Sequence, residues 1–219
     1  MAQMDQDYFD KIAQAIVNCD KGACVQLVKE GLAKGIDPLE ILDRGLGKGI
    51  KKVGEDFGSG WCFLPELIGA ADAMKEGVAI LDDEIKALGK SRKSRGCIVI
   101  GTVKGDIHDI GKSVVASVLQ ANGYDVIDLG IDVPEEKFVQ AASENRADCV
   151  AMSSLLTLTI QEMGVVIKKL KEVGLRDRVK VIVGGAPVTQ EFADEIGADA
   201  YGHDAGDAVQ KMGLLLGER

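Results

Sequence analysis

The residues best suited to chemistry lie in the stretch Gly101-Thr102-Val103-Lys104-Gly105-Asp106-Ile107-His108-Asp109-Ile110-Gly111-Lys112-Ser113. It follows a short apolar run and opens an amphipathic one, so it reads as a loop between a strand and a helix. In an extended loop residues two apart point the same way, which sets Asp106 beside His108. A carboxylate so placed accepts the proton of one imidazole nitrogen and leaves the other to face a metal. Glycines at 101, 105 and 111 admit backbone shapes and close approaches that a Cβ would obstruct.

Three other readings of this loop stay open at this point. A phosphate-binding P-loop needs Gly, four residues, then Gly-Lys-Ser/Thr. Gly111-Lys112-Ser113 supplies the end, but Asp106 stands where the first Gly is required and puts a carboxylate where phosphate would sit. A phospho-receiver would use clustered acids at a strand end, here Asp106 and Asp109, and would leave His108 and the later glycines without work. A surface loop with an incidental histidine is the plainest reading. Two further features count against it. Ser153-Ser154-Leu155-Leu156-Thr157 and Gly184-Gly185-Ala186-Pro187 each follow a later apolar run. Singly they are a helix cap and a turn. Together, small and hydroxyl residues at successive strand ends leave a slot.

The elements that must position these residues fall into two halves. From Cys97 onward, apolar runs at Cys97–Val103, Val126–Leu129, Cys149–Ser153, Val179–Val183 and Ala198–Tyr201 alternate with amphipathic helical segments. That alternation implies parallel strands joined by crossover helices. The expected fold is α/β: a flavodoxin-like five-stranded parallel sheet of order 2-1-3-4-5, receiving ligands at the carboxyl ends of its strands. Before it, apolar residues recur at helical spacing, as in Ile12, Ala13, Ile16, Val17 and then Leu27, Val28, Leu32. Asp37-Pro38-Leu39-Glu40 is a helix start, and another helix follows Pro65. The expectation is an all-α four-helix-bundle domain over 1–89, a polar basic linker over 90–96 and the α/β domain over 97–219.

Composition narrows the function classes. A net charge of −9 disfavours binding to nucleic acid. The five cysteines form no C-x-x-C pair and are odd in number, so they suggest neither a disulfide framework nor a thiolate zinc site. No signal segment or long apolar span is read, so no membrane partner and a cytoplasmic location are expected.

Asp106-x-His108-x-x-Gly111, Ser153-x-Leu155 and Gly184-Gly185, in that order and spacing, resemble the cobalamin-binding domain shared by methionine synthase, B12-dependent mutases and the corrinoid proteins of methyltransferase systems. Phe57-Gly58-Ser59-Gly60-Trp61-Cys62-Phe63-Leu64-Pro65-Glu66-Leu67 is similar to the helical cap segment of that family, so the likeness covers nearly the whole chain. It implies cobalamin as cofactor, as methylcobalamin or another corrinoid, with its own base displaced from cobalt by His108. It implies a chain from His108 to Asp106 to Ser153, the three residues on which the chemistry would depend. Gly105, Ile107, Asp109, Ile110 and Gly111 would contact the corrin from the loop. Leu155, Thr157, Gly184, Gly185 and Tyr201 would line the passage of the nucleotide tail, with His203 bordering the tail or solvent. Trp61, Phe63 and Leu64 would shield the reactive face. The implied function is a methyl carrier, itself non-catalytic, working with a substrate-specific methyltransferase, an acceptor methyltransferase using a folate or thiol, and a reductive activator. A B12-binding sensor or a mutase-type cobalamin-binding subunit is the alternative. The cap argues for methyl rather than radical chemistry, and no DNA-binding segment is seen.

Overall fold

A computed structural model describes residues 2–88 and 94–217. The chain divides into two compact units, 1–93 and 94–219, except that 121–123 group with the first. Residues 89–93, most of the expected linker, lie outside the described residues.

The first unit is helical: α1 (Ala2–Val17), α2 (Lys21–Ala33), α3 (Pro38–Glu40) leading through a π-helical segment (Ile41–Gly47) into α4 (Lys48–Gly58), and α5 (Leu64–Ala87). The periodic apolar residues are its core, with Phe9, Ile12, Ile16, Val28, Ile41 and Leu46 all buried. Asp37 caps α3 by accepting from the Leu39 N–H at 2.9 Å, and Pro38 occupies the first turn, where its missing donor costs nothing. Glu66 closes the start of α5 by accepting from the Phe63 N–H at 3.0 Å, half of a capping box. A Cβ at Gly49 would lie 2.6 Å from the Ala13 carbonyl oxygen, so α1 and α4 approach closely only because that position has no side chain. Among the described residues no helix is long and apolar enough to cross a membrane.

The second unit is the α/β fold. Its strands are β1 (Cys97–Thr102), β2 (Asp125–Asp128), β3 (Cys149–Ser153), β4 (Lys180–Gly184) and β5 (Ala200–Gly202). All neighbours are parallel, in the order β2-β1-β3-β4-β5. The intervening helices are α6 (Ile110–Ala121), α7 (Glu135–Glu144), α8 (Gln161–Glu172), α9 (Gln190–Ile196) and α10 (Ala205–Leu216). Alternation along each strand sends residues to two cores. Val99, Val150, Met152, Val181 and Val183 meet Phe138, Met163 and Ile167 on one face, while Ile98, Ile100, Ala151 and Ile182 meet Leu119, Ala208 and Met212 on the other. Burial on both faces explains why the strands read as continuous apolar runs. The boundaries shift slightly from expectation: β4 begins at Lys180 rather than Val179, and β5 covers Ala200–Gly202 because Ala198 and Asp199 lie in the turn before it.

The fully buried Phe138 packs beneath β1, where a Cβ on Gly101 would lie 2.8 Å from its ring. Phe138→Ala should lower the unfolding free energy of this unit by about 3–5 kcal/mol. Urea denaturation followed by circular dichroism checks this, and a loss below about 1 kcal/mol would contradict the packing described.

Candidate functional site

The loop after β1 is built around one buried carboxylate. Gly105, at φ +79°, turns the chain, and its N–H donates to Asp132 Oδ1 at 2.7 Å. The turn is closed by the Asp106 N–H donating to the Val103 carbonyl at 3.1 Å. Asp106 is thereby carried under the loop with no exposed surface. Its Oδ1 accepts from the His108 N–H at 3.0 Å and lies 2.7 Å from His108 Nδ1. Its Oδ2 accepts from the Leu155 and Leu156 N–H groups at 2.6 and 3.1 Å, and from Ser154 Oγ and Thr159 Oγ1 at 3.1 and 3.2 Å.

Burial pushes the Asp106 carboxyl up. The hydrogen bonds from the His108 and Leu155 backbone and from the His108 and Ser154 side chains outweigh it, and hold the group well below the ordinary carboxylate range. At neutral pH Asp106 is therefore an acceptor only. It follows that Nδ1 of His108 carries a proton, and that in the neutral ring the lone pair is on Nε2. The imidazole is 46% exposed, and among the described residues nothing hydrogen-bonds Nε2. Thr102 Oγ1 fixes the other side of the loop by donating to the His108 carbonyl at 2.9 Å. A ring held by Nδ1 and by its own backbone presents Nε2 in one direction, as a metal ligand requires.

Ser153 is not the residue that hydrogen-bonds Asp106; Ser154 is, together with Thr159. Ser153 ends β3 in register with Thr102 and Gly184, and successive strand residues face opposite sides, so Ser154 turns to the carboxylate while Ser153 turns to the other face. Counting alternation from the apolar residues of β3 is the signal that separates the two. Thr159, two residues beyond the Ser153–Thr157 stretch, offered no such signal.

On the face to which Ser153 turns, a cavity of about 440 Å³ lies among β1, β3, β4, β5, α6 and α10. Gly111, Ser153, Gly184, Gly185, Tyr201 and His203 contribute to its wall. A Cβ on Gly185 would fall 1.8 Å from the Ser154 carbonyl oxygen, so only glycine allows β4 to turn there. Leu155 and Thr157 do not line this cavity. The chain leaves the sheet after Ser153, and both side chains are exposed on the outer loop, where Leu155 serves Asp106 through its backbone.

Around His108 the two loops leave an apolar surface open to solvent. Ile107, Ile110 and Leu158 are exposed by 70%, 76% and 89%. Large apolar side chains exposed beside an outward imidazole suit a flat apolar partner better than water. Asp109 sits at the edge of this surface, accepting from Ser113 and pairing with Lys112, and that lysine's hydrogen bond, with the one from Ser113, holds its carboxyl low. Lys112 is buried and also bridges to Asp128 at the end of β2. In the sequence Lys112 stood out only as part of the P-loop-like Gly111-Lys112-Ser113, not as a partner of Asp128, and Thr102 did not stand out. Trp61 and Phe63 belong to the helical unit and are exposed rather than packed in its core, whereas Leu64 is half-buried.

The residues present fit a corrinoid. The fit has three parts: an outward Nε2, an apolar apron around it, and a cavity reaching from the strand ends into the sheet. A Cβ built on Gly111 would meet nothing within 4 Å, so the first turn of α6 is open where a macrocycle would approach.

Comparison with known proteins bears on both units. Residues 96–210 match the family model described as a B12 binding domain, and residues 8–82 match a second model with the same description. The chain is 44% identical over 211 residues to a trimethylamine corrinoid protein of Methanosarcina barkeri, covering 96% of this chain and 97% of the relative. It is 47% identical over 212 residues to a dimethylamine corrinoid protein of the same organism, covering 96% and 98%. Among solved structures, the methanol:cobalamin methyltransferase complex MtaBC of Methanosarcina barkeri matches with a TM-score of 0.86 at 31% identity, over 96% of this chain and 80% of that one. A cobalamin-binding protein from Desulfitobacterium hafniense matches with a TM-score of 0.64 at 34% identity, over 95% and 98%. The chain thus belongs to the corrinoid proteins that join a helical domain to a B12-binding domain, and its cofactor is cobalamin or a related corrinoid.

Proposed function

We propose that this protein is the methyl carrier of a corrinoid-dependent methyltransferase system, with His108 Nε2 as the lower axial ligand of cobalt. The observation that carries the reading is the pairing of His108 Nδ1 with the buried Asp106 carboxylate, which leaves Nε2 as the ring's outward lone pair. When bound, the cobalt supplies the site that accepts and gives up a methyl group. The chain's own residues do the rest. Ile107, Ile110 and the leucines of the β3–α8 loop give the macrocycle an apolar seat. Asp106 keeps its charge opposite the ring, so the imidazole is an electron-rich ligand when it coordinates. Ser154 and Thr159, whose hydroxyl oxygens lie 2.7 Å apart, share their two protons between each other and the far oxygen of Asp106 and so keep it in place. Gly111, Gly184, Gly185 and Tyr201 border the cavity that would take the nucleotide tail.

The helical unit would act as cap, with Trp61 and Phe63 covering the reactive face until a partner engages; their exposure in place of core packing supports this. Similarity to methylamine corrinoid proteins points to a methylated amine as methyl source, delivered by a substrate-specific methyltransferase. An acceptor methyltransferase and a reductive activator would complete the system in the cytoplasm.

His108→Ala, reconstituted with hydroxocobalamin, should keep much of its corrinoid through the cavity while its visible spectrum loses the features of imidazole ligation. A spectrum identical to the parent's would reject His108 as the ligand. Asp106→Asn tests the support beneath it. The amide has one oxygen to offer where the carboxylate has two, so buried donors lose partners at about 1–3 kcal/mol. The Asp106 carboxyl is held below its unfolded value, so its contribution is complete above about pH 4 and fades as acid approaches the lower, folded value. Thermal melts of the two proteins should differ clearly at pH 7 and draw together only as the pH falls below about 4, whereas a gap independent of pH would contradict the charged role of Asp106.

A further inference from the structure

The wall of the 440 Å³ cavity is divided by polarity along the strand direction. Register places Thr102, Ser153, Gly184 and Gly202 in one row across the sheet at the carboxyl ends of the strands. The next row on the same face is Ile100, Ala151 and Ile182. The polar side chains that line the cavity are Lys112, Ser153, Tyr201, His203 and Asp204. All of them belong to the mouth: Ser153 to the first row, Tyr201, His203 and Asp204 to the end of β5, and Lys112 to the first turn of α6. Lys112 is moreover already paired with Asp109 and Asp128. The inner wall is Ile100, Ala151 and Ile182 from the sheet with Leu119, Ala208 and Met212 from the helices, hydrocarbon and thioether throughout. Tyr124, whose buried hydroxyl has no hydrogen-bond partner among the described residues, belongs to the same core cluster but does not line the cavity. Ala151 stands between two isoleucines in register, so the floor has a notch one side chain deep.

From this division we infer that the cavity selects corrinoids by the chemistry of their lower base, taking flat apolar rings and rejecting purines. This rests on the proposed reading that the base leaves cobalt and enters the cavity. A dimethylbenzimidazole or a phenolic ring turns a hydrocarbon edge towards the inner wall. A purine turns ring nitrogens and an exocyclic amine to the same surface. Each would give up its water with no side-chain donor or acceptor to replace it. Because His108 supplies the ligand, the base need not coordinate cobalt, and so a phenolic ring is as acceptable as a benzimidazole.

The test uses the full chain freed of corrinoid and equilibrium dialysis read at the corrinoid's own absorbance. The probes are dimethylbenzimidazolyl, phenolyl and adeninyl cobamides, with cobinamide, which has no nucleotide tail, as reference. The first two should bind within a few-fold of each other and the adeninyl form roughly tenfold or more weaker. Ala151→Leu fills the notch and should weaken the dimethylbenzimidazolyl form by about tenfold while leaving cobinamide unchanged. Met212→Gln puts a donor and an acceptor on the inner wall and should narrow the gap to the adeninyl form. Equal affinity for all three cobamides, each with an imidazole-ligated spectrum, overturns the selection and leaves His108 as ligand untouched. Absence of that spectrum with every cobamide overturns both.

Discussion

A carboxylate without solvent is tolerable only if its lone pairs are filled, and in this protein that demand organises the site. Six hydrogen-bonding groups gather on Asp106: the backbone and ring of His108, two backbone N–H groups from the turn after β3, and the hydroxyls of Ser154 and Thr159. One charge therefore ties the β1–α6 loop to the β3–α8 loop. It sets the tautomer of His108 and aims its free nitrogen, and it does so before any cofactor arrives. The strength of the arrangement is seen in the depressed acidity of Asp106, where hydrogen bonding overcomes burial. A histidine positioned only by its own rotamers would have to be ordered by the ligand it is meant to bind.

The second constraint is space. Parallel sheets of this order open a crevice at the carboxyl ends of the strands, and here the crevice deepens into a cavity because the facing row is Ser153, Gly184 and Gly202 rather than branched residues. The same residues that make room also cost packing. The open volume lies within the cluster of Ile100, Leu119, Ile182 and Met212, which would otherwise close on itself. On the proposed reading a bound tail would restore those contacts, so cofactor binding would stabilise this unit through the core as well as through His108.

Much of this was legible in the residues, and the failures have physical causes. Strand order followed from apolar runs alternating with helical ones, because parallel connections leave few topologies. Asp106 and His108 could be paired from spacing alone, since both lie in one short extended loop. Ser153 and Ser154 could not be told apart by type, and the wrong one was set on Asp106; only the parity of β3 divides the cavity side from the carboxylate side. Leu155 and Thr157 were placed in the passage of the tail by the resemblance alone; the chain turns outward after Ser153 and leaves both side chains exposed. Thr159 and Lys112 act across space, onto Asp106 and onto Asp128, and no local pattern marks a contact of that kind.

The most direct test of the central claim is electron paramagnetic resonance of the cobalt(II) corrinoid bound to protein grown on ¹⁵N-histidine. Coordination by Nε2 of His108 requires that the superhyperfine pattern of a single axial nitrogen change from a triplet in natural-abundance protein to a doublet in the labelled one, and vanish in His108→Ala. A pattern that ignores the label, or that survives the substitution, would show that another group holds the metal from below.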